Sequence, residues 1–138
     1  MLVHHARLIL GDAYASWEGG DILGALSYVT ADLAFAVHAS SDAGSLVGTG
    51  SGRDEFGCRL ELFLRQFEVK AFALQQVTVK GPWVQSRAHF RYRHRASGME
   101  VDGAMRHKWL FVGDEIAHFE LFHDSARMRA FYKMTAAA

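Results

Sequence analysis

The sequence predicts an α+β domain, with helices in its first half and an antiparallel sheet in its second half. Apolar residues recur at three- and four-residue spacing as far as Phe67, and beyond it the spacing changes to two. The later segments are separated by tight turn signals such as Gly81-Pro82 and Gly113-Asp114. Helices followed by strands are typical of folds in which the helices gather on one face of the sheet.

The composition places limits on the class of protein. The length of 138 residues fits one domain, which we assign to residues 1–133, with 134–138 as a disordered tail. The single cysteine, Cys58, excludes an internal disulfide and fits a reducing compartment. The 15 basic and 15 acidic residues balance, so the chain has no general attraction for nucleic acid. Because no apolar run approaches the roughly 20 residues that span a bilayer, and the first residues lack a signal-peptide pattern, we expect a cytoplasmic protein without a membrane partner.

The first two helices are predicted to meet at a corner. Residues 2–18 form an amphipathic pattern in which Leu10, Ala13, Tyr14 and Trp17 share a face.

The two glycines that follow allow the chain to turn. Gly19 or Gly20 supplies the left-handed conformation that ends a helix, and Asp21 can cap the next helix. That second helix has a short apolar face, made of Ile22, Leu26 and Val29. A strand is predicted at residues 33–39.

A third helix is predicted after a Ser/Gly-rich segment. Residues 40–52 are interpreted as a loop. Asp54 and Glu55 then occupy the first turn of the helix, where acidic side chains are favoured. Its apolar face comprises Phe56, Leu60, Phe63, Leu64 and Phe67.

The remainder of the chain is predicted to form a meander of long strands and one short helix. The strand segments are 71–80, 83–95, 99–112 and 115–123. Asp124 can cap the final helix, at 125–132.

A basic cluster lies on the second of these strands. With a period of two, one face carries Arg87, His89, Arg91, Arg93 and Arg95, and the other carries Ala88, Phe90, Tyr92 and His94. One interpretation is an anion or RNA surface. The other is a solvated sheet face or a dimer surface, with Glu100 and Asp102 as acidic partners on the next strand. The neutral net charge favours the second interpretation.

Several motifs in order along the chain resemble those of SnoaL-like proteins of the NTF2-like superfamily. The motifs are Tyr14, Trp17, Gly20-Asp21, Ala31-Asp32, Gly52-Arg53-Asp54 with Phe56, Trp109 and Phe111 before Gly113-Asp114 and Ile116, and the run from Phe119 to Asp124. The resemblance implies a cone, in which a curved antiparallel sheet wraps around the N-terminal helices and encloses an apolar pocket. It also implies a homodimer, and a glycine corner that turns the second helix to help close the narrow end of the cone.

The catalytic sets of this superfamily are not preserved. In ketosteroid isomerases the tyrosine position corresponds to Ala13, with Tyr14 beside it, and the aspartate base corresponds to Val37, with His38 beside it. The acid position corresponds to His107.

The other families of this fold give the same result. In limonene-epoxide-hydrolase-like members an Asp-Arg-Asp set activates water, and here its positions fall on Leu121 and near Arg91 and Arg93. The aspartate on the last strand of the polyketide cyclases is also missing.

The side of the sheet that faces the pocket is predicted from alternation. On the third strand of the meander, Met105, His107, Trp109 and Phe111 share a face that two aromatic side chains mark as inward. On the last strand the resemblance places Phe119, Leu121 and His123 inside. The other face of that strand is also partly apolar, with His118, Glu120 and Phe122, so we expect a second subunit to cover it.

The candidate catalytic residue is His107, with His38 or His123 as second choice and Tyr14 as hydroxyl donor. An imidazole titrates near physiological pH and can exchange protons with a carbon acid. The alternative is a core histidine satisfied by one hydrogen bond. The eight histidines show no spacing typical of metal ligands, so neither a metal nor another cofactor is expected. The predicted ligand-binding residues are Trp17, Val37, Phe56, Leu60, Phe90, Tyr92, Met105, Trp109, Phe119, Leu121 and His123.

Two functions of different class remain open at this point. The first is an isomerase, lyase or hydrolase that acts on a small apolar oxygenated molecule by histidine acid/base chemistry. The second is a non-catalytic module for small-ligand binding or dimerisation. The fold hosts both, so the choice depends on the site.

Overall fold

The computed structural model describes residues 2–38, 48–123, 130, 131, 133 and 134. Their arrangement is α+β, as the sequence predicts, and the sheet is curved and unclosed, with six strands where the sequence predicts five. The elements are α1 (Val3–Glu18), α2 (Ile22–Leu26), β1 (Val29–His38), β2 (Gly48–Ser51), α3 (Arg53–Gln66), β3 (Phe67–Lys80), β4 (Trp83–His94), β5 (Glu100–Val112) and β6 (Glu115–His123).

The sheet has the strand order β2-β1-β6-β5-β4-β3. The meander from β3 to β6 is antiparallel throughout, which confirms the prediction for that part of the chain. The pair β1–β6 is parallel instead. After β1 the chain passes through β2, α3 and the first three strands of the meander, and its last strand, β6, then lies beside β1 and runs in the same direction. Helix α1 packs against β3, and α3 packs against β1 and β3.

The first two strands differ from the prediction. Strand β1 begins at Val29 rather than at residue 33, because Val29 already pairs with Ile116 before an irregularity in the ladder. The segment 40–52 is not all loop, since β2 lies within it and pairs with β1 from Ala34 to Val37. Residues 39–47 lie outside the part that the structure describes.

The amphipathic pattern of the first helix is confirmed. Ala6, Leu10, Tyr14 and Trp17 are buried along one side of α1. Apolar residues at this spacing form one stripe, and the stripe faces the sheet. The stripe thereby packs Tyr14 against Phe72 of β3 and Trp17 against Phe63 of α3.

The corner between α1 and α2 is built as predicted. Gly20 has φ of 71°, the left-handed conformation that a side chain disfavours. The Asp21 carboxylate accepts a hydrogen bond of 2.9 Å from the backbone N–H of Gly24, which caps α2. Val29 belongs to β1, so the predicted apolar face of α2 ends at Leu26.

Helix α3 also follows the prediction, apart from its last apolar residue. Asp54 and Glu55 lie in its first turn. Leu60 and Phe63 are buried on its inner side. Phe67 is the first residue of β3 rather than a helical residue, since its backbone is already extended.

The basic strand β4 alternates as predicted. Ala88, Phe90 and Tyr92 are buried on its inner face. On the outer face the expected acidic partners are present, with the pairs His89–Asp102 at 3.8 Å and Arg91–Glu100 at 3.9 Å, and this favours the interpretation of a solvated sheet face.

The predicted last helix lies mostly outside the described residues, as does its cap, Asp124. The four residues near the end that are described are helical, and Phe131 is buried with its ring centroid 5.8 Å from that of Phe67. Met134, which the sequence assigns to the tail, is one of them, and 135–138 are not described. None of the helices within the described ranges is long and apolar enough to cross a membrane.

Candidate functional site

An apolar cavity of about 110 Å³ lies between the three helices and the inner face of the sheet. Aromatic and aliphatic side chains dominate its wall. The described residues that line it are Ala13, Tyr14, Trp17, Ala25, Val29, Val37, Phe56, Leu60, Phe72, Tyr92, Met105, His107, Trp109, Ile116, Phe119 and Leu121. Among them the imidazole is the only side chain that can carry a positive charge, and none is acidic.

Four buried side chains form a hydrogen-bonded chain at one wall of this cavity. The Tyr14 hydroxyl lies 2.7 Å from Nδ1 of His107 and 2.8 Å from Oγ of Ser86. The indole N–H of Trp109 donates to Oγ of Ser86 at 2.7 Å. All four residues are less than 9 % exposed, so these bonds form away from bulk water. We call this set the polar wall.

The direction of the hydrogen bonds follows from the donors available. Trp109 can only donate, so Ser86 accepts from it. Burial raises the pKa of Tyr14, so this hydroxyl keeps its proton. If Ser86 donates to Tyr14 and Tyr14 donates to Nδ1 of His107, each hydrogen bond that joins the four side chains has one donor and one acceptor, and both hydroxyl hydrogens are used.

The reverse direction leaves a buried hydroxyl hydrogen without an acceptor. Ser86 would then accept from both Trp109 and Tyr14, and the described residues offer no acceptor for its own hydrogen. A buried polar group without a partner costs about 1–3 kcal/mol. We therefore assign the first direction, in which the neutral imidazole of His107 carries its hydrogen on Nε2.

Strand register brings the polar wall together. Ser86 lies directly opposite His107 in the β4–β5 ladder, and Trp109 is two residues further along β5 on the same face. Tyr14 reaches them from α1, which packs over the sheet. The edge of the Tyr14 ring also meets the ring of Phe72, with centroids 4.9 Å apart. This contact holds the phenol between helix and sheet.

The structure brings most of the predicted site residues into one cavity. The predicted residues that line it are Tyr14, Trp17, Val37, Phe56, Leu60, Tyr92, Met105, His107, Trp109, Phe119 and Leu121. They come from α1, α3 and four strands, so the shared cavity depends on the whole fold. Their roles in catalysis or binding remain predictions.

Three predicted residues are not placed in the cavity. His38 points outward, because Val37 takes the inward position on β1, and its Nε2 lies 2.8 Å from Oε1 of Glu120. The bond from His38 also lowers the pKa of Glu120 below its ordinary value. Phe90 is buried but packs in the core against Tyr92, with ring centroids 4.8 Å apart. The side chain of His123 lies outside the described part of the structure.

Sequence reasoning missed several residues of the site. Phe72 was missed because no inward face was assigned to β3, whose ladder has an irregularity between Val69 and Ala71 that puts Phe72 out of a strict period of two with Val69. Ser86 had one available signal, since it is a polar residue at an inward position of β4, between Val84 and Ala88. The other missed lining residues are Ala13, Ala25, Val29 and Ile116.

A metal centre is not evident in the described ranges. Within residues 2–38 and 48–123 and the four described residues near the end, no group of three potential ligand side chains converges.

Comparison with solved structures places the fold. No protein-family model matches the chain, and no curated protein matches its sequence. An NTF2-like protein of unknown function from Burkholderia pseudomallei matches with a TM-score of 0.79 and 19% identity over 90% of this chain and 94% of that one. A protein from Catenulispora acidiphila with a ketosteroid isomerase-like fold, in complex with trimethylamine, matches with a TM-score of 0.75 and 15% identity over 88% and 89%.

A third solved structure with the same fold is a SnoaL-like protein. A protein from Mesorhizobium loti assigned as a SnoaL-like polyketide cyclase matches with a TM-score of 0.67 and 17% identity, over 86% of this chain and 98% of that one. The chain therefore has the NTF2-like cone fold, as the sequence motifs imply. At these identities the likeness concerns the fold and leaves the activity to the site itself.

Proposed function

We propose that this protein binds a small, apolar, oxygenated molecule in its cavity and transfers a proton to or from it at His107. The reaction is of the isomerase, lyase or hydrolase type, with the Tyr14 hydroxyl as hydrogen-bond donor. The observation that carries the proposal is the 2.7 Å hydrogen bond between Tyr14 and Nδ1 of His107 in the wall of an apolar cavity. The small ligand of the Catenulispora acidiphila structure supports a ligand site in this fold.

The size of the cavity limits the ligand. Apolar cavities of about 150 Å³ hold benzene in other proteins, and sites for drug-sized molecules measure roughly 300–1,000 Å³. A volume of about 110 Å³ therefore fits a molecule with one small ring, or a shorter chain. The apolar lining accommodates the hydrocarbon part, and the polar wall can orient one oxygen.

The polar wall supports a proton transfer in which the imidazole becomes positively charged while the ligand oxygen becomes negatively charged. A ligand oxygen that takes over the Tyr14 hydrogen bond leaves Nδ1 of His107 without its donor. The imidazole can then accept a proton from a carbon next to the ligand's carbonyl group, and the negative charge that develops on the ligand oxygen is stabilised by Tyr14. Because burial raises the pKa of Tyr14, the phenol donates rather than ionises.

A second candidate is a ligand-binding module without catalysis. Its support is the small volume, because aromatic rings fill much of the space between helix and sheet. The rings of Trp109 and Phe119 are 5.3 Å apart, and those of Phe56 and Phe119 are 5.0 Å apart. In this case His107 is a core histidine whose hydrogen bond to Tyr14 serves stability.

The experiment uses cyclohexenone, a one-ring carbon acid, in D₂O. Exchange of its acidic hydrogens is followed by NMR, and binding is followed by tryptophan fluorescence. We expect the wild type to catalyse exchange and His107→Gln to lose about 100-fold or more of the rate, as for removal of a general base. The control is His89→Gln, whose histidine lies on the outer face beside Asp102 and whose loss leaves the rate unchanged.

The outcomes separate the two candidates. Binding without exchange in the wild type would contradict catalysis and support the module. Absence of both, with a folded protein, would contradict the ligand site. Tyr14→Phe is expected to bind the ring but to slow exchange, since it removes only the hydroxyl.

We also propose a homodimer in which the outer face of the sheet is covered by a second copy. The apolar part of β6 supports it, since Phe122 is only half-buried and stacks on the exposed His38 ring at 4.6 Å. The proposed interface continues over His118 and Glu120 to the face that carries Arg91 and Arg93. Sedimentation at about tens of micromolar protein should show a dimer, and a monomer there would contradict the interface.

A further inference from the structure

Two arginines on the outer face of the sheet lie directly opposite one another. Arg87 on β4 pairs in register with Arg106 on β5, and both are exposed. Like charges at directly opposite positions of an antiparallel pair are destabilising. Neither guanidinium has an acidic partner among the described residues, whereas Arg91 on the same face lies 3.9 Å from Glu100.

The two arginines line a groove of about 470 Å³. The side-chain amides of Gln76 and Gln85 offer hydrogen-bond donors there. Lys108 also lines the groove, with its ammonium group 4.4 Å from the centroid of the Trp83 ring. Of the described residues that line the groove, none is acidic. We call this feature the arginine groove.

An acidic residue in the neighbouring row of the sheet, Glu120, is already engaged. Glu120 lies opposite Lys108 in the β5–β6 ladder. Its carboxylate accepts a bond from His38 at 2.8 Å and lies 3.8 Å from Nε2 of His118. It therefore does not neutralise the pair of arginines one row away, and the groove keeps an excess of positive charge.

We propose that the arginine groove binds an organic oxyanion, a phosphate or carboxylate group attached to a small apolar body. Two adjacent guanidinium groups can each form paired hydrogen bonds with such an anion, and their repulsion is relieved when it binds. The groove is several times larger than one phosphate and lies in the range of small-molecule sites. Phe122 lines it as well, which gives the apolar body a ring to contact.

The arginine groove borders on the polar wall, since Ser86 and His107 line the groove as well, but its two arginines lie on the other face of the sheet from the cavity. Arg87 and Arg106 point outward where Ser86 and His107 point inward. Ligand in the cavity is not required for ligand in the groove, so failure of the proton-transfer experiment would leave this inference standing.

The experiment compares two probes at constant ionic strength, with chloride as reference. Binding of phenyl phosphate and of inorganic phosphate is measured by calorimetry and by the shifts of the arginine side-chain N–H signals. We expect phenyl phosphate to bind more tightly than inorganic phosphate. Arg87→Gln and Arg106→Gln should each weaken binding about 10-fold or more, whereas Arg91→Gln, whose arginine already has an acidic partner, should bind like the wild type.

A stability measurement in chloride provides a second test. Removal of either arginine of the opposed pair relieves the repulsion, so both variants should melt at or above the wild-type temperature without phosphate. Equal binding of the two probes would overturn the assignment of an organic body. The site would be overturned if Arg91→Gln weakened the binding of phenyl phosphate as much as Arg87→Gln and Arg106→Gln do, or if the wild type did not bind it. The groove and the proposed dimer interface share the outer face of the sheet and the Phe122 ring. Sedimentation is therefore run in parallel, and phenyl phosphate should shift a dimer towards the monomer.

Discussion

Replacement of Ser86 by alanine is the sharpest test of the polar wall. The change removes one oxygen and leaves the backbone of β4 in place. Trp109 then loses the acceptor of its indole N–H, which lies 2.7 Å from Oγ of Ser86. Tyr14 loses its bond to Ser86 and keeps the one to His107.

The magnitude follows from the burial of these groups. Trp109 is 7% exposed, and Ser86 is 5% exposed. A buried donor left without an acceptor costs about 1–3 kcal/mol, and the second lost bond adds about 1 kcal/mol. The removed oxygen is too small to leave a significant cavity. We therefore expect Ser86→Ala to lower the free energy of unfolding by about 2–4 kcal/mol.

The assay is urea unfolding at neutral pH, with an unchanged dependence on urea as the check that only stability changed. Thr30→Val is the matched control. Its hydroxyl oxygen is also buried but has no hydrogen-bond partner in the described part of the structure, so its loss should be neutral or slightly stabilising. If Ser86→Ala costs no more than Thr30→Val, the polar wall does not exist as described.

Three further predictions concern other parts of the molecule. Burial raises the pKa of Tyr14 above its ordinary 10.0, so the unfolded chain loses this proton more easily than the folded one. Above pH 10 the free energy of unfolding of the wild type should fall by about 1.4 kcal/mol per pH unit relative to that of Tyr14→Phe. Parallel profiles of unfolding free energy against pH would contradict this. Gly50→Ala should lower the free energy of unfolding in urea by about 1–3 kcal/mol, since the added Cβ would lie 2.5 Å from the Phe35 ring and 2.8 Å from Oε1 of Glu55. A variant as stable as the wild type would show that β2 does not pack there. The pKa of Glu120 is lowered by a hydrogen bond from the His38 imidazole, so Glu120→Gln should lower the free energy of unfolding at neutral pH but not in acid below that pKa. The loss should be no more than about 0.5 kcal/mol, because the pair is exposed. Equal effects at both pH values would count against the bond.

Alternation placed the central site residues correctly because the ladder there is regular. The β4–β5 pairing runs without an irregularity, so Met105, His107 and Trp109 share one face, as a period of two requires. No inward face was assigned to β3, and a strict period of two would not have found Phe72, because an irregularity between Val69 and Ala71 leaves both Val69 and Phe72 buried. A sequence shows the period of a strand but not the positions where its ladder slips.

Pairings across the fold account for the rest of what was not predicted. Strand β2 is short and rich in glycine, so it has no alternation, and only its contact with β1 makes it a strand. His38 was considered because it lies beside the position of a catalytic base, yet the strand directs it outward to Glu120. The bond between Tyr14 and His107 joins residues 93 positions apart, and no local pattern indicates it.

The central claim is that His107 and Tyr14 meet the ligand in the cavity, and nitrogen-15 NMR of the histidine side chains tests it most directly. In the free protein we predict that Nδ1 of His107 is the unprotonated nitrogen that accepts from Tyr14, with the hydrogen on Nε2. Addition of cyclohexenone should shift the Nδ1 signal as the phenol turns to the ligand, and should leave His89 on the outer face unchanged. Saturable binding of the ring with no change at His107, or a free protein with the hydrogen on Nδ1, would contradict the account.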